Sequence, residues 1–346
     1  MADERGRIGL GIVGAGMGAR PHALALNALK DEIAVRGVYR RDRQAREAFC
    51  AEHGFPPAQS LEELLSDPQI DAILVLTPPN AREQIVKAAA QAGKHILMEK
   101  PVERTTAAAE RIVAACEASG VTLGVVFQHR FRAASRALEL AMKERRFGSL
   151  QAVHLVVPWW RAQQGYYDQP GRGTLAQDGG GVLITQAIHS LDLMLSLTGP
   201  VREVTALAAT TELHRMETED FVAGGLAFEN GAAGALMATT ANYPGGPESL
   251  TLNFDKASAT LAAGTLTVSW LDGRRESIGE PSEGGGGADP MAFPFDWHKA
   301  LIADFIDAIR TGRQPLSNGR TALEVHWLID ALLSSAREGG RVAVGR

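Results

Sequence analysis

Apolar residues in the first third of the chain come in short unbroken runs, each followed by a longer segment in which they recur every three to four positions. The runs at 8–13, 33–39, 71–76, 95–98 and 121–127 are aliphatic and β-branched with little alternation, the texture of strands buried on both faces. The segments between them carry helical periodicity over 22–29 and 43–53 and again before Gly93 and Gly120. Glycine stands just past their ends, and Ser60-Leu61-Glu62-Glu63 has the form of a capping box. Strand and helix in alternation predict a doubly wound parallel sheet. From Leu150 the texture changes to β-like segments at 151–157, 201–209, 221–228, 232–240, 250–255 and 266–270, joined by turns such as Asp272-Gly273. That pattern predicts a large, mostly antiparallel open sheet. A glycine-rich stretch at 280–289 reads as a flexible loop, and helices at 297–310 and 321–336 close the chain. The fold class is therefore α/β, with one domain over 1–129 and a second over 130–346.

Two strand ends draw the chemistry. The run at 71–76 stops at Thr77-Pro78-Pro79-Asn80, and the run at 95–98 stops at Glu99-Lys100-Pro101. Both are carboxyl ends of neighbouring strands, where open α/β sheets bind their ligands. Strand 8–13 leads into Gly14-Ala15-Gly16-Met17-Gly18-Ala19 and then a helix, the G-x-G-x-x-(G/A) arrangement. Its glycines allow a tight turn and close backbone approach, and the helix amides that follow can meet a pyrophosphate. A plain glycine-rich turn is the alternative. Strand 33–39 ends in Arg40-Arg41-Asp42, near the place where dinucleotide folds read the ribose. Guanidinium groups there would pair with a 2′-phosphate, which favours NADP; if Asp42 takes the ribose instead, NAD is preferred.

Composition narrows the class. The chain has 346 residues, 45% hydrophobic and 22% charged, with a net charge of −5, which disfavours nucleic acid as a partner. Only Cys50 and Cys116 occur, far from ligand spacing, so neither a disulfide framework nor a metal site is expected, and a reducing cytoplasm fits. No apolar run approaches membrane-spanning length.

One helix breaks the β pattern of the second half. Gly179-Gly180-Gly181 runs into a helical segment in which Thr185, His189 and Asp192 stand at i, i+4 and i+7, a polar stripe on an otherwise apolar helix. Burying an imidazole without hydrogen bonds costs a few kcal/mol. The stripe should face a ligand, water or another polar group, or His189 is satisfied inside a domain interface. Ahead of it, Trp159-Trp160-Arg161 and the loop from Tyr166 through Tyr167 and Arg172 to Thr174 offer aromatic faces for a sugar ring and guanidinium groups for a carboxylate or phosphate. An ordinary aromatic packing loop is the alternative.

The glycine turn, Thr77-Pro78-Pro79-Asn80, Glu99-Lys100-Pro101, Arg130-Phe131, the glycine triplet ahead of His189 and Asp192, and Asp304-Phe305-Ile306 with Gly312-Arg313-Gln314-Pro315 together resemble the glucose-fructose oxidoreductase, inositol dehydrogenase and MocA (Gfo/Idh/MocA) family over nearly the whole chain. The resemblance implies a Rossmann domain and a C-terminal domain that binds substrate and forms subunit contacts; the half-exposed antiparallel face, with much Ala, Val and Leu, needs cover, and a homo-dimer or homo-tetramer is expected. It implies an NAD(P)-dependent oxidoreductase acting on a hydroxyl carbon of a sugar, cyclic polyol or sugar derivative. It places catalysis on Lys100 and His189 and implies that the Lys100-Pro101 peptide is cis. Cofactor contacts are expected from Gly14, Gly16, Met17, Arg40, Arg41, Thr77, Pro78, Asn80, Glu99, Lys100 and Gln128, and substrate contacts from Trp160, Arg161, Tyr167, Arg172, Thr185 and His189. Two departures stand out. Thr185 replaces an Asp or Asn, and a hydroxyl can orient a substrate but cannot accept its proton at neutral pH; Arg82 and Glu83 replace a usual His.

A neutral His189 suits removal of the hydroxyl proton, Lys100 suits stabilisation of the developing alkoxide, and Asp192 is expected to orient the imidazole or contact a sugar hydroxyl. A catalytically silent cofactor-binding protein on the same fold is the competing reading.

Overall fold

In a computed structural model, which describes residues 6–280 and 294–345, the aliphatic runs become the parallel strands β1 (Ile8–Val13), β2 (Ile33–Tyr39), β3 (Ala72–Val75), β4 (His95–Met98) and β5 (Leu123–Val125). Their order is β2-β1-β3-β4-β5. Every residue of β3 is buried, which explains the missing alternation. Between the strands lie α1 (Arg20–Ala28), α2 (Arg43–His53), α3 (Leu61–Ser66), α4 (Arg82–Gln91) and α5 (Thr106–Ala118). Asp42, Ser60 and Thr105 cap α2, α3 and α5 by accepting the N–H groups of Ala45, Glu63 and Ala108. Past the helix ends, Gly54, Gly93 and Gly120 take φ of 73°, 72° and 67°.

The second sheet has nine strands among the described residues. They are β6 (Leu150–Pro158), β7 (Val201–Ala209), β8 (Phe221–Phe228), β9 (Ala233–Thr239), β10 (Ser249–Phe254), β11 (Ala257–Ala262), β12 (Thr265–Trp270), β13 (Arg275–Ile278) and β14 (Val342–Ala343). In the order β13-β12-β11-β10-β6-β9-β8-β7-β14 every pairing is antiparallel except β6 with β9. Leu250, Leu252 and Phe254 of β10 are buried while the residues between them are half-exposed, so one face is covered and the other is open. The covering helices are drawn from α6 (Ala133–Lys143), α7 (Ile188–Thr198) and α9 (Gly319–Glu338). The expected element order passes over α6, β11, β13 and β14. The loop expected at 280–289 lies, apart from Glu280, outside the described residues.

The chain divides differently from two contiguous domains at 1–129 and 130–346. One unit comprises Met1–Gln128 and Pro294–Ala322, the other His129–Phe293 and Leu323–Arg346. The physical reason lies at β5, whose outer edge is paired by the returning chain: Val125 N–H donates to the Ser317 carbonyl at 3.0 Å, and Ser317 Oγ donates to the Val125 carbonyl at 2.7 Å. Helix α8 (Asp296–Thr311) buries Leu301, Ile302, Phe305 and Ile306 in the same unit, with Phe305 packed against Gly124, where a Cβ would come within 2.9 Å of its ring.

Candidate active site

In the first unit the glycine turn, Thr77 and Lys100 stand at the carboxyl ends of β1, β3 and β4. Gly14 has φ of +97°, and a Cβ there would meet the Leu76 carbonyl carbon at 2.9 Å, so the turn after β1 closes on the end of β3 only with glycine. At Gly16 a Cβ would touch nothing within 4 Å, an open surface suited to backbone approach by a pyrophosphate. Met17 begins a 3₁₀ turn, Met17–Ala19, that runs into α1. These features fit a dinucleotide. Arg40 is half-buried and its guanidinium donates to the Ala15 carbonyl, so it folds over the glycine turn, while Arg41 is exposed. Asp42 is held as the cap of α2, with Oδ1 accepting from Ala45 N–H at 3.0 Å.

Arg82, noted in the sequence only as a departure, binds the two strand ends together. It is 3% exposed, and its guanidinium donates to the carbonyls of Thr77 (2.8 Å), Glu99 (2.5 Å) and Pro101. Burial lowers its pKa to about 10, which leaves it charged at neutral pH. Between those anchors the Lys100-Pro101 peptide is cis. Pro78 and Asn80 are exposed around the short turn Pro79–Ala81, and Gln128 is buried at the start of the turn after β5.

Glu99, expected at the cofactor, has internal partners. Its Oε1 meets His22 Nε2 at 2.8 Å and its Oε2 accepts the Lys100 backbone N–H at 3.1 Å. Burial pushes this carboxyl up, but the His22 hydrogen bond and the neighbouring positive groups, Lys100 among them, outweigh it and bring the pKa to about 2. The His298 ring lies edge-on to His22 with centroids 4.7 Å apart, and burial lowers the His298 pKa to about 3. Sequence reasoning missed both histidines, because His22 and Glu99 are 77 residues apart.

In the second unit the glycine triplet has a packing role. A Cβ on Gly181 would lie 1.8 Å from the Glu219 carbonyl oxygen, and the Glu219 carboxylate accepts the N–H groups of Gly181 (3.1 Å) and Leu183 (3.2 Å). One π-helical turn, Leu183–Ala187, precedes α7, so the continuous α-helix expected here begins later. The polar stripe then separates. Thr185 Oγ1 donates back to the Gly181 carbonyl at 2.6 Å. The His189 ring is 7% exposed and stacks on His129, with centroids 5.0 Å apart at 28°.

Asp192 is fully buried, and Arg130 grips both its oxygens, Nε to Oδ2 at 2.6 Å and Nη2 to Oδ1 at 2.5 Å. Burial pushes the Asp192 carboxyl up against the pull of Arg130. The sequence points Asp192 at the imidazole or a sugar hydroxyl; both its oxygens accept from a guanidinium, which offers a buried carboxylate two charge-assisted bonds.

Several side chains of the aromatic segments have internal partners. Arg161 is buried and donates to the Trp160 carbonyl (2.8 Å) and to Gln186 Oε1 (3.2 Å). Tyr167 is buried with its hydroxyl 2.7 Å from Thr240 Oγ1. Arg172 is half-buried, paired with Asp178 at 3.4 Å and stacked over the Tyr166 ring at 5.3 Å. Trp160 is half-buried, edge-on to Tyr243. Of the expected substrate contacts, Trp160, Arg172 and Thr185 retain some exposure, whereas Arg161 and Tyr167 are built into the fold.

Comparison with known proteins shows the family. The family profile "Oxidoreductase family, NAD-binding Rossmann fold" matches residues 8–127, and "GFO/IDH/MocA C-terminal domain" matches 135–260. The chain is 31% identical over 227 residues to a 1,5-anhydro-D-fructose reductase of Ensifer adhaerens, covering 64% of this chain and 66% of that one. It is 28% identical over 346 residues to a D-xylose 1-dehydrogenase (NADP(+)) of Haloferax volcanii, covering 96% and 98%. Among solved structures, the WlbA dehydrogenase of Bordetella pertussis, in complex with NADH and UDP-GlcNAcA, superposes with a TM-score of 0.82 at 29% identity, covering 98% of this chain and 99% of that one.

Proposed function

Because the chain belongs to the GFO/IDH/MocA oxidoreductase family, we propose that it is an NAD(P)-dependent dehydrogenase acting on a hydroxyl carbon of a sugar, cyclic polyol or sugar derivative. The observation that carries this reading is the gathering of the glycine turn, Thr77 and Lys100 at adjacent strand ends, braced by Arg82. When bound, the nicotinamide supplies the hydride acceptor. The backbone of Gly14, Gly16 and Met17 holds the pyrophosphate, and Thr77, Pro78, Asn80 and Gln128 hold the nicotinamide half. Lys100 donates to the substrate oxygen as negative charge develops, and His189 takes the hydroxyl proton. Thr185 and Trp160 contact the sugar. NADP is favoured over NAD, since Arg40 and the exposed Arg41 follow β2, at the position where dinucleotide folds read the ribose, while Asp42 Oδ1 caps α2.

The same reading includes a homo-oligomer in a reducing cytoplasm. Leu207 and Ala209 of β7 and Ala233 and Ala235 of β9 are exposed, an apolar sheet surface that a second copy would cover, and Cys50 and Cys116 are free and buried. No helix among the described residues is long and apolar enough to cross a membrane.

The test is cofactor reduction by the purified chain with NADP or NAD and a panel of pyranoses and cyclic polyols that includes D-xylose. Reduced cofactor should form, with the lower KM for NADP. Lys100→Ala and His189→Ala should each lower kcat by roughly 10²- to 10⁴-fold while cofactor still binds. Cofactor binding with no turnover across the panel would overturn the enzyme reading.

A further inference from the structure

Behind His189 runs a row of charged and polar side chains that the chemistry above leaves unused. Glu248 Oε1 accepts from Arg132 Nη1 at 2.6 Å, and Arg132 Nη2 lies 2.7 Å from His129 Nε2. The His129 ring in turn stacks on His189, with centroids 5.0 Å apart. Relative exposures are 4% for His129 and 7% for His189, and the Arg132 and Glu248 side chains are 13% and 10% exposed. A guanidinium has five donors and no acceptor. His129 Nε2 must therefore be the accepting nitrogen, its ring proton resides on Nδ1, and the ring is neutral. A second proton could enter only at Nε2, against the Arg132 donor already there.

We propose that His129 is a positioning residue for His189: Arg132, aligned and neutralised by Glu248, locks the stacked ring in its neutral Nδ1–H form. The proton drawn from substrate then stays on His189 and is not shared with its neighbour. This rests on the assignment of His189 as the base. The lock also fixes the charge that His189 faces. A free His129 would be a second imidazole of similar intrinsic basicity in van der Waals contact with the base, and the pair would titrate together.

Beside His129 is a cleft lined from α6, α7, β6, β10 and the β11–β12 turn, and its titratable side chains are His129, Arg132 and Glu248 alone. Asp192, on the helix that carries His189, is paired with Arg130, which also feels Glu139 of α6 and Glu324 of α9. Those groups remain in place in the variants below.

Two single substitutions should move the acid limb of kcat/KM for sugar oxidation in opposite directions. Glu248→Gln leaves the Arg132 charge uncompensated and disfavours an imidazolium at His189, so the limb moves to lower pH by about half a unit. Arg132→Met removes that charge and releases His129, so the limb moves to higher pH by a similar amount and steepens. Loss of packing alone would lower activity without this pair of opposite shifts.

A second measurement needs no turnover: long-range ¹H–¹⁵N NMR of histidine-labelled full-length protein without substrate, with the His129 signals assigned by their loss in His129→Phe. The wild-type ring should stay in the Nδ1–H form from pH 8 to 5, and in Arg132→Met it should titrate to the imidazolium. An Nε2–H or doubly protonated His129 at neutral pH in the wild type, or limb shifts of the same sign in both variants, would overturn the proposal. If no panel sugar is oxidised the enzyme reading fails, whereas the ring measurement still decides whether Arg132 sets the state of His129.

Discussion

Removing the Asp192 charge separates a structural role from a catalytic one. Asp192 is fully buried and both its oxygens are held by Arg130, whose side chain is 12% exposed. Asp192→Asn therefore removes the carboxylate that holds a largely buried guanidinium in the interior of the second unit. Breaking one side of such a pair costs about 3–5 kcal/mol, whereas replacing both partners by apolar residues of similar volume is often neutral or stabilising. At about 2–4 °C per kcal/mol for a unit of this size, Asp192→Asn should lower the melting temperature by roughly 6–20 °C. The double variant Arg130→Met with Asp192→Leu should recover most of that loss. Tryptophan fluorescence is a suitable probe because Trp159, Trp160, Trp270 and Trp327 all lie in the second unit. The reasoning is refuted if Asp192→Asn melts within about 2 °C of wild type, or if the double variant is no more stable than the single. A fall in kcat at unchanged melting temperature would return Asp192 to the substrate.

Arg82→Met should loosen both strand ends at once. It removes the donors to three backbone carbonyls in a buried place, and a net loss of about 2–4 kcal/mol is expected, read as a lower urea midpoint together with weaker cofactor binding; an unchanged midpoint would count against the brace. His326 supplies a pH dependence of known sign. Burial lowers its pKa to about 4, so between about pH 6.5 and 4 the unfolded chain binds a proton there that the folded chain does not. The contribution is fully present above pH 6.5 and is lost as pH falls, by on the order of 3 kcal/mol at pH 4. His326→Leu should flatten that loss in urea midpoints measured at neutral and acidic pH, and an equally steep loss in the variant would contradict the assignment.

The parallel sheet was legible because burial on both faces leaves its mark in the residues themselves. The run at 71–76 lacks alternation for the reason that β3 has no solvent face, and the glycines past α2, α4 and α5 stand where a left-handed residue is needed. Helix α6 carries a readable signal too, since Ala134, Leu138 and Ala141 are buried at i, i+4 and i+7. Strand β11 is fainter: it buries Ala257, Ala259 and Leu261 between Ser258 and Thr260, so small residues blunt the contrast. The return of Pro294–Ala322 to the first unit has no local signature. Periodicity shows that α8 has an apolar face, not which sheet that face will cover.

At the site, residue types were legible and partnerships were not. On an isolated helix, a carboxylate three positions after a histidine looks like the group that orients it. In the folded chain two candidates compete for Asp192, and burial decides between them. A fully buried carboxylate is stable only if both oxygens are bonded and its charge is balanced. An imidazole offers it one hydrogen bond and carries charge only when protonated, whereas Arg130 offers two bonds and a permanent charge from a position 62 residues away. The same ordering explains why a side chain 77 residues distant, His22, bonds Glu99 Oε1, while the adjacent Lys100 gives Oε2 its backbone N–H and adds its charge. A sequence shows which side chains need a partner, and the interior assigns each to whichever group within reach best satisfies its hydrogen bonds and charge.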